Sequence, residues 1–364
     1  MEIMAEIDLK NIESLRGSQL TREQCYRLCV DLAAQGLGHV SPNPPVGCVI
    51  VSENGELIGY GFHEKFGQAH AEVNAINSVK DQGRLKNATV YVSLEPCSFH
   101  GKTPACAELL IKYPIARVEY GQQDPHPKVA GAGIGMLQKN GIEVSPWAIA
   151  EGANIMKDLR YLTQPFFVNQ IKNRSFVSLK TAMSIDGQTA LSSGESQWIT
   201  GEEARKYGHR LRAFHDAIIV GRGTVSEDDP SLNIRHPDFN NKTNSVIVLD
   251  PDGKLAESLQ ELKLFKAHKP ENIFIICKPS ASDKFHKQVN IFDDCFEDGE
   301  LSLDSVLEKL YVDHQVASVY LEGGARTYSA FINQDLVDRY YIFIGPLILG
   351  SDQSRGWSPG IQIQ

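Results

Sequence analysis

His70-Ala-Glu-Val-Asn-Ala-Ile-Asn77 and Thr89-Val-Tyr-Val-Ser-Leu-Glu-Pro-Cys97 decide the fold of the first half of this chain. The first stretch predicts a helix from about His70 to Val79, and the second a short β-branched strand, Thr89 to Leu94, stopped by Glu95-Pro96. Upstream, Thr21-Arg-Glu-Gln24 is a capping box that opens a helix with Cys25, Leu28, Cys29, Leu32 and Ala33 on one stripe. That spacing makes Cys25 and Cys29 core residues. Val46 to Val51 and Leu57 to Phe62 flank Asn54-Gly55, the signal of a β-hairpin. Downstream come a helix from Thr103-Pro104 and a strand from Arg117 to Gly121. Helices alternate with strands, which predicts an α/β sandwich.

Gln122 to Gly135 is polar and glycine-rich and reads as a loop, including Gly131-Ala-Gly-Ile-Gly135, whose glycine spacing does not fit a dinucleotide fingerprint. Gln164-Pro165 closes the first unit. The predicted division is an N-terminal extension over 1–20, a first domain over 21–168 and a second over 169–364. The second begins with a strand, Phe176 to Ala182, and a further capping box, Thr200-Gly-Glu-Glu203. Strands follow at Ala217–Val220, Val246–Leu249, Ile273–Cys277 and Val319–Leu321, so this half is α/β as well.

With 364 residues, 42% of them hydrophobic, the chain is long enough for two cores. A formal charge of -9 argues against a nucleic-acid partner, which would need clustered Lys and Arg. Seven cysteines, an odd number without a secretory pattern, predict free thiols in a reducing compartment, the cytoplasm. No apolar run reaches the roughly 18 residues of a membrane span, so no membrane partner is expected.

His70, Cys97 and Cys106 supply one nitrogen and two sulfur donors, the three-ligand set that leaves a catalytic zinc a fourth position for water. Glu72, in the first turn beyond His70, can reach that position without binding the metal and carry protons. A His-x-Glu followed by Pro-Cys is the signature of zinc-dependent nucleobase deaminases. The cysteines here are separated by eight residues, Ser98 to Ala105, where that signature has two. Cys106 in the first turn of a helix would be favoured as thiolate.

Ser41-Pro-Asn-Pro-Pro-Val-Gly47, His70-Ala-Glu-Val73, Glu95-Pro-Cys-Ser-Phe-His-Gly-Lys-Thr-Pro-Ala-Cys106 and Gln123-Asp-Pro-His-Pro-Lys-Val-Ala-Gly131 resemble the bifunctional riboflavin-biosynthesis deaminase/reductases of bacteria. Leu179-Lys-Thr-Ala-Met-Ser-Ile-Asp-Gly187, Gly194-Glu-Ser-Gln-Trp-Ile-Thr200, Gly223-Thr-Val-Ser-Glu-Asp-Asp-Pro230 and Leu321-Glu-Gly-Gly-Ala325 resemble their reductase half. The resemblance implies a cytidine-deaminase-like α/β/α domain followed by a dihydrofolate-reductase-like α/β domain. It implies Zn2+ and NADPH as cofactors and a phosphorylated pyrimidine as substrate, first deaminated and then reduced from ribosyl to ribityl. A homodimer or higher homo-oligomer is expected.

By resemblance, Asn43 and His63 line the deaminase pocket and Lys102 sits near the substrate phosphate. Phe99 stands where the family often has histidine. The cofactor would meet Ala182, Trp198, Thr224, Asp228 and the run Gly324, Ala325, Arg326, Thr327, Tyr328, Ser329 and Ala330. The reductase substrate would meet Ser196, Arg212, Leu232, Arg235 and Glu322, the two arginines acting as phosphate clamps. On the residues alone, Glu322-Gly-Gly324 between a strand and a helix is equally a phosphate cradle or a plain turn. Arg212 could also be solvated. Lys180 and Asp186 are the candidate proton donors for reduction.

Two other functions fit the His-x-Glu motif alone: deamination of another nucleobase or of nucleic acid, and a zinc module without catalysis. The second domain has no place in the nucleic-acid reading, and Glu72 argues against the zinc module, because a structural site needs no proton carrier. The family pattern continues for roughly forty residues beyond Tyr340–Leu349, an edge length of several strands. Gln353 to Gln364 lacks an alternating apolar run, so the strand before it is expected to expose an unpaired edge.

Overall fold

The computed structural model describes residues 9–98, 105–126, 130–150, 153–191, 199–285, 289–350 and 355–356. The chain divides into two compact units, Met1–Lys172 and Asn173–Gln364.

In the first unit the helices are α1 (Leu9–Ser14), α2 (Arg22–Gln35), α3 (Ala71–Asn77), α4 (Cys106–Ile111), α5 (Ala132–Lys139) and α6 (Asn154–Lys172). The strands are β1 (Gly47–Val51), β2 (Leu57–Phe62), β3 (Thr89–Leu94), β4 (Arg117–Gln122) and β5 (Glu143–Pro146). They form one sheet in the order β2-β1-β3-β4-β5, antiparallel as far as β3 and parallel beyond it. Alternation along β1 sorts the two cores. Val49 and Val51 pack with α2 and α6 on one face, and Cys48 and Ile50 with α3 and α4 on the other. Three layers result, helices on both sides of a sheet. Cys25 and Cys29 lie buried in the α2 core, as their stripe predicts.

The predicted capping box at Thr21 is formed, with side-chain and backbone bonds to Gln24 in both directions. Other sequence expectations need correction. The described part of the segment before Thr21, residues 9–20, packs on the first domain: Ile12 on α1 is buried in the α2 core, and Gln19 bridges to Glu56. Gly131–Gly135 is no loop, because α5 begins inside it. Gly131 takes the helix N-cap at a φ of 79°, and a Cβ on Gly133 would lie 2.0 Å from the Pro96 carbonyl oxygen. Glycine is required there by close approach rather than by a turn. Pro165 does not close the unit either. Helix α6 runs through it to Lys172, held by buried Leu159, Leu162 and Asn169. Thr103 and Pro104 lie outside the described residues, and α4 starts at Cys106 after Ala105 as N-cap.

The second unit opens on β6 (Phe176–Ser184) and β7 (Gln188–Ala190). It continues through α7 (Glu202–Phe214), β8 (Ala217–Gly221), α8 (Arg222–Asp228), β9 (Ser245–Leu249), α9 (Lys263–Ala267), β10 (Ile273–Ile276) and α10 (Pro279–Ser282). Next come β11 (Asn290–Phe292), a small ribbon of β12 (Phe296–Glu297) and β13 (Glu300–Leu301), α11 (Leu303–His314), β14 (Ser318–Leu321), α12 (Ala325–Asn333), β15 (Arg339–Gly345) and β16 (Arg355–Gly356). Seven strands pair in the order β11-β10-β9-β8-β14-β6-β15, all parallel. Runs such as Ile218–Val220 are buried on both faces, as a covered parallel sheet requires.

The expected Thr200 capping box is not formed. Gly201 is the N-cap of α7 and carries no side chain to close it. At the other end, β15 is an edge strand among the described residues, and its outward residues Tyr340, Ile342 and Ile344 are exposed. The strand is shorter than the predicted Tyr340–Leu349.

Candidate functional site

The metal ligands are brought together by three chain reversals. His70 is the N-cap of α3, with extended backbone (φ -74°, ψ 167°) and no capping bond from its side chain, so the imidazole is free to face the sheet end. Cys97 follows β3 after Glu95-Pro96. Cys106 opens α4. His70 Nδ1 lies 3.7 Å from Cys97 Sγ and 3.3 Å from Cys106 Sγ, and the three ligand atoms lie within 4.8 Å of one another. The lengthened cysteine spacing therefore costs nothing in convergence. The backbone N–H of Cys106 donates to Cys97 Sγ at 3.2 Å, which favours thiolate. Hydrogen bonding from Cys106 and His70 holds the Cys97 thiol well below its usual value, while the interaction with Cys97 and burial push Cys106 up. One nitrogen and two sulfurs at this separation fit a zinc ion with an open position. Among the described residues they are the one such cluster.

Glu72 sits two residues beyond His70 in the first turn of α3, only 4% exposed. Burial pushes its carboxyl up to about 7, with the Cys97 charge adding to the effect, and positive charge held at the three ligands would draw it back. Asn43 and His63 are hydrogen-bonded to each other at 3.1 Å. His63 donates from Nδ1 to the Ala69 carbonyl at 3.0 Å, so its Nε2 accepts from the Asn43 amide and the ring is neutral. Burial favours that state. Asn43, His63, His70, Glu72 and Cys97 line one cavity of about 250 Å³ with Asp124 and Phe166. Lys102 and Phe99 lie outside the described residues.

Sequence reading gave no role to Glu95 or Asp124. Glu95 accepts backbone N–H bonds from Asp124, Gly131, Gly133 and Ile134 at 3.0–3.3 Å, tying the loop beside the metal strand to the start of α5. Its place next to Pro96-Cys97 was the available signal, but four partners up to 39 positions away cannot be read from spacing.

In the second unit, Ala182 lies on β6, Thr224 and Asp228 on α8, and Gly324 is the N-cap of α12 with no side-chain cap. A Cβ on Gly221 would meet Thr327 Oγ1 at 2.5 Å, so the end of β8 and the start of α12 are in close approach. Free N–H groups at that helix start suit a cofactor phosphate. Not every residue of the 324–330 run faces outward: Tyr328 and Ser329 are buried, bonded to the carbonyls of Lys180 and Ala325. Trp198 and Ser196 lie outside the described residues.

Arg212 is neither solvated nor free to clamp a phosphate with both prongs. Its Nε and Nη2 are bonded to Glu322 at 2.8 and 2.5 Å, and Nη1 to the Asn233 carbonyl at 3.1 Å. Arg212 and Lys180 hold the Glu322 carboxyl down at about 2 against the burial that opposes it. Leu232 is buried with a left-handed φ of 51°, so only its backbone can meet a ligand. Asp186 accepts the N–H groups of Leu349 and Gly350, which argues against it as a proton donor. Sequence reading passed over His209, on α7 one turn before Arg212; a lone histidine on a charged helix gives no signal.

Residues 20–122 match the family described as "Cytidine and deoxycytidylate deaminase zinc-binding region", and residues 175–364 match "RibD C-terminal domain". The riboflavin biosynthesis protein RibD of Actinobacillus pleuropneumoniae is 37% identical over 331 residues, covering 90% of this chain and 85% of that one. RibD of Escherichia coli is 35% identical over 344 residues, covering 91% and 89%. A solved diaminohydroxyphosphoribosylaminopyrimidine deaminase/5-amino-6-(5-phosphoribosylamino)uracil reductase from Thermotoga maritima superposes with a TM-score of 0.80 at 33% identity, covering 94% and 91%. Both halves are matched together along nearly the whole length, so the chain belongs to the RibD family, bifunctional deaminase/reductases of riboflavin biosynthesis.

Proposed function

We propose that Glu72 is the proton carrier of the deaminase and that Asn43 and His63 orient the substrate ring, acting on 2,5-diamino-6-(5-phosphoribosylamino)pyrimidin-4-one. The observation that carries this is that the buried Glu72 carboxyl lines one cavity with His70 and Cys97, which converge with Cys106 on one point. Zinc, when bound by those three ligands, lowers the pKa of a coordinated water toward ~7. Glu72 accepts a proton from the attacking water and returns it to the leaving amine. Its raised carboxyl makes both transfers accessible near neutral pH. His63, fixed as a neutral ring by Ala69, holds the Asn43 amide so that its carbonyl oxygen faces a ring N–H or amino group. Apolar cover from Val46, Leu94 and Phe166 excludes bulk water.

In the second unit, NADPH, when bound, would supply the hydride for C1 of the opened ribose, and the chain's own residues position substrate and cofactor. The Gly324 end of α12 would hold a cofactor phosphate, and Thr224 and Ala182 would line the same site. Arg235 takes the substrate phosphate, because Arg212 is committed to Glu322. The Glu322 carboxylate binds ribose hydroxyls, and Lys180, within charge reach of it, is the better placed proton donor.

The experiment is product analysis with the diaminopyrimidinone phosphate. Deaminated product alone is expected without NADPH, and the ribityl compound with it. Ammonia release from cytidine or single-stranded DNA, without turnover of the phosphate ester, would overturn the substrate assignment. Seven free cysteines support a reducing compartment such as the cytoplasm. The exposed apolar residues of β15 support a homodimer or higher oligomer, to be read by sedimentation.

A further inference from the structure

The loop from Asp229 to Arg235 carries two of the residues assigned above to the reductase substrate, and its backbone is strained. Asp229 and Leu232 hold left-handed φ values of 40° and 51° without being glycine. Such a loop keeps one shape only where its surroundings impose it. Four anchors do so. Lys263 N–H donates to Asp229 Oδ1 at 2.8 Å, and His268 Nε2 lies 2.9 Å from the Ser231 carbonyl. Arg212 Nη1 donates to the Asn233 carbonyl at 3.1 Å, and Arg235 N–H donates to His209 Nδ1 at 3.3 Å. The first three fix the strained turn, and the last ends on Arg235 itself. Beyond it, buried His236 seats the chain on Phe239.

We propose that His209 is a positioning residue of the reductase: its Nδ1 holds the Arg235 peptide so that the Arg235 guanidinium meets the substrate's phosphate. His209 precedes Arg212 by three positions on α7, so both side chains lie on one face of the helix. One face thereby anchors the loop at Asn233 and at Arg235. To accept at Nδ1, the ring must carry its proton on Nε2, and it cannot become imidazolium. Burial and the charges of Arg212 and Arg235 push it down to about 4, with Lys180 acting the same way and Glu322 opposing. The anchor therefore persists at neutral and mildly acid pH.

The inference rests on the reading of Arg235 as the phosphate contact. Steady-state NADPH oxidation by the full chain on the deaminated phosphoribosylaminopyrimidine separates the two. His209→Ala is expected to raise KM roughly 3- to 10-fold, the usual weight of one hydrogen bond, with kcat within about twofold. His209→Asn keeps an acceptor near the Nδ1 position and should return KM to within about twofold of the parent. Arg235→Ala should raise KM by about tenfold or more, and His209→Ala added to it should change nothing further. An unchanged KM in His209→Ala beside a raised one in Arg235→Ala overturns the inference alone. So does a His209→Asn variant as impaired as His209→Ala, or a loss of kcat in both. An Arg235→Ala enzyme with the parent KM overturns the reading of Arg235 and this inference with it.

Discussion

The two units place their chemistry in opposite ways. In the deaminase unit the reacting groups are side chains from three short segments, His70 to Glu72, Cys97 and Cys106, each at the end of a helix or strand. In the reductase unit the described site residues come from β6, α7, α8, the Asp229–Arg235 loop, the Glu322–Gly324 turn after β14 and α12, and much of what they offer is backbone: a helix N-terminus, a left-handed loop, a glycine turn. A side-chain site fails when one atom is changed. A backbone site fails when the fold around it loosens.

That contrast predicts its largest effect at Glu72. Glu72→Gln keeps the shape and the three ligands, so zinc content should stay at the parental level while deamination falls by ~10²- to 10⁴-fold or more. Metal analysis and ammonia release on the same sample read both quantities, and NADPH-dependent reduction should not change. Loss of zinc with activity would make Glu72 a ligand.

Acid should strike the other unit. His215 on the α7–β8 connection is buried between the Leu211 carbonyl at 2.7 Å and the Ser178 hydroxyl at 2.8 Å, and burial pushes it down to about 3. The unfolded chain takes up its proton near pH 6.5, while the folded chain refuses it until about pH 3. Stability is therefore full above 6.5 and falls as pH drops through that window. At ~1.4 kcal/mol per pH unit, roughly 3 kcal/mol is lost by pH 4 from this group. Hydrogen exchange at pH 7 and 4.5 should show β6, β8 and β14 deprotecting ahead of β1 and β3. His215→Gln should flatten the reductase response. Equal deprotection in both units would remove the contrast.

A smaller effect sharpens it from the deaminase side. In Gly133→Ala the new methyl would lie 2.0 Å from the Pro96 carbonyl, so α5 must move away from the turn before Cys97. The expected cost is ~1–3 kcal/mol. Calorimetry should show the loss in the deaminase transition, and zinc should be held less tightly. An unchanged transition would mean that the approach of α5 to Pro96 is looser than the geometry shows.

Legibility followed the same division. The zinc ligands and Glu72 were readable because donor chemistry restricts residue type and because helix and strand ends fall where the motifs stop. The α/β order was readable from periodicity. What spacing could not give were the close approaches. Gly133 reads as loop until Pro96 is beside it, and Pro165 reads as a helix stop until Leu159, Leu162 and Asn169 are buried around it. Thr200 reads as a cap, yet the helix begins after Gly201. Arg212 was readable as a cation but not as one already paired, since Glu322 is 110 positions away. Asp124 and His209 carry no pattern of their own and become visible only through their neighbours.

The central claim is that one chain carries two chemically separate sites, one dependent on metal and one not. The direct measurement is a titration of the full chain with a zinc chelator, following ammonia release from the diaminopyrimidinone phosphate and, in parallel, NADPH oxidation on the deaminated intermediate. Deamination should fall in proportion to zinc removed and return on adding zinc, while reduction stays constant throughout. Parallel loss of both activities, or deamination surviving in metal-free protein, would contradict the account.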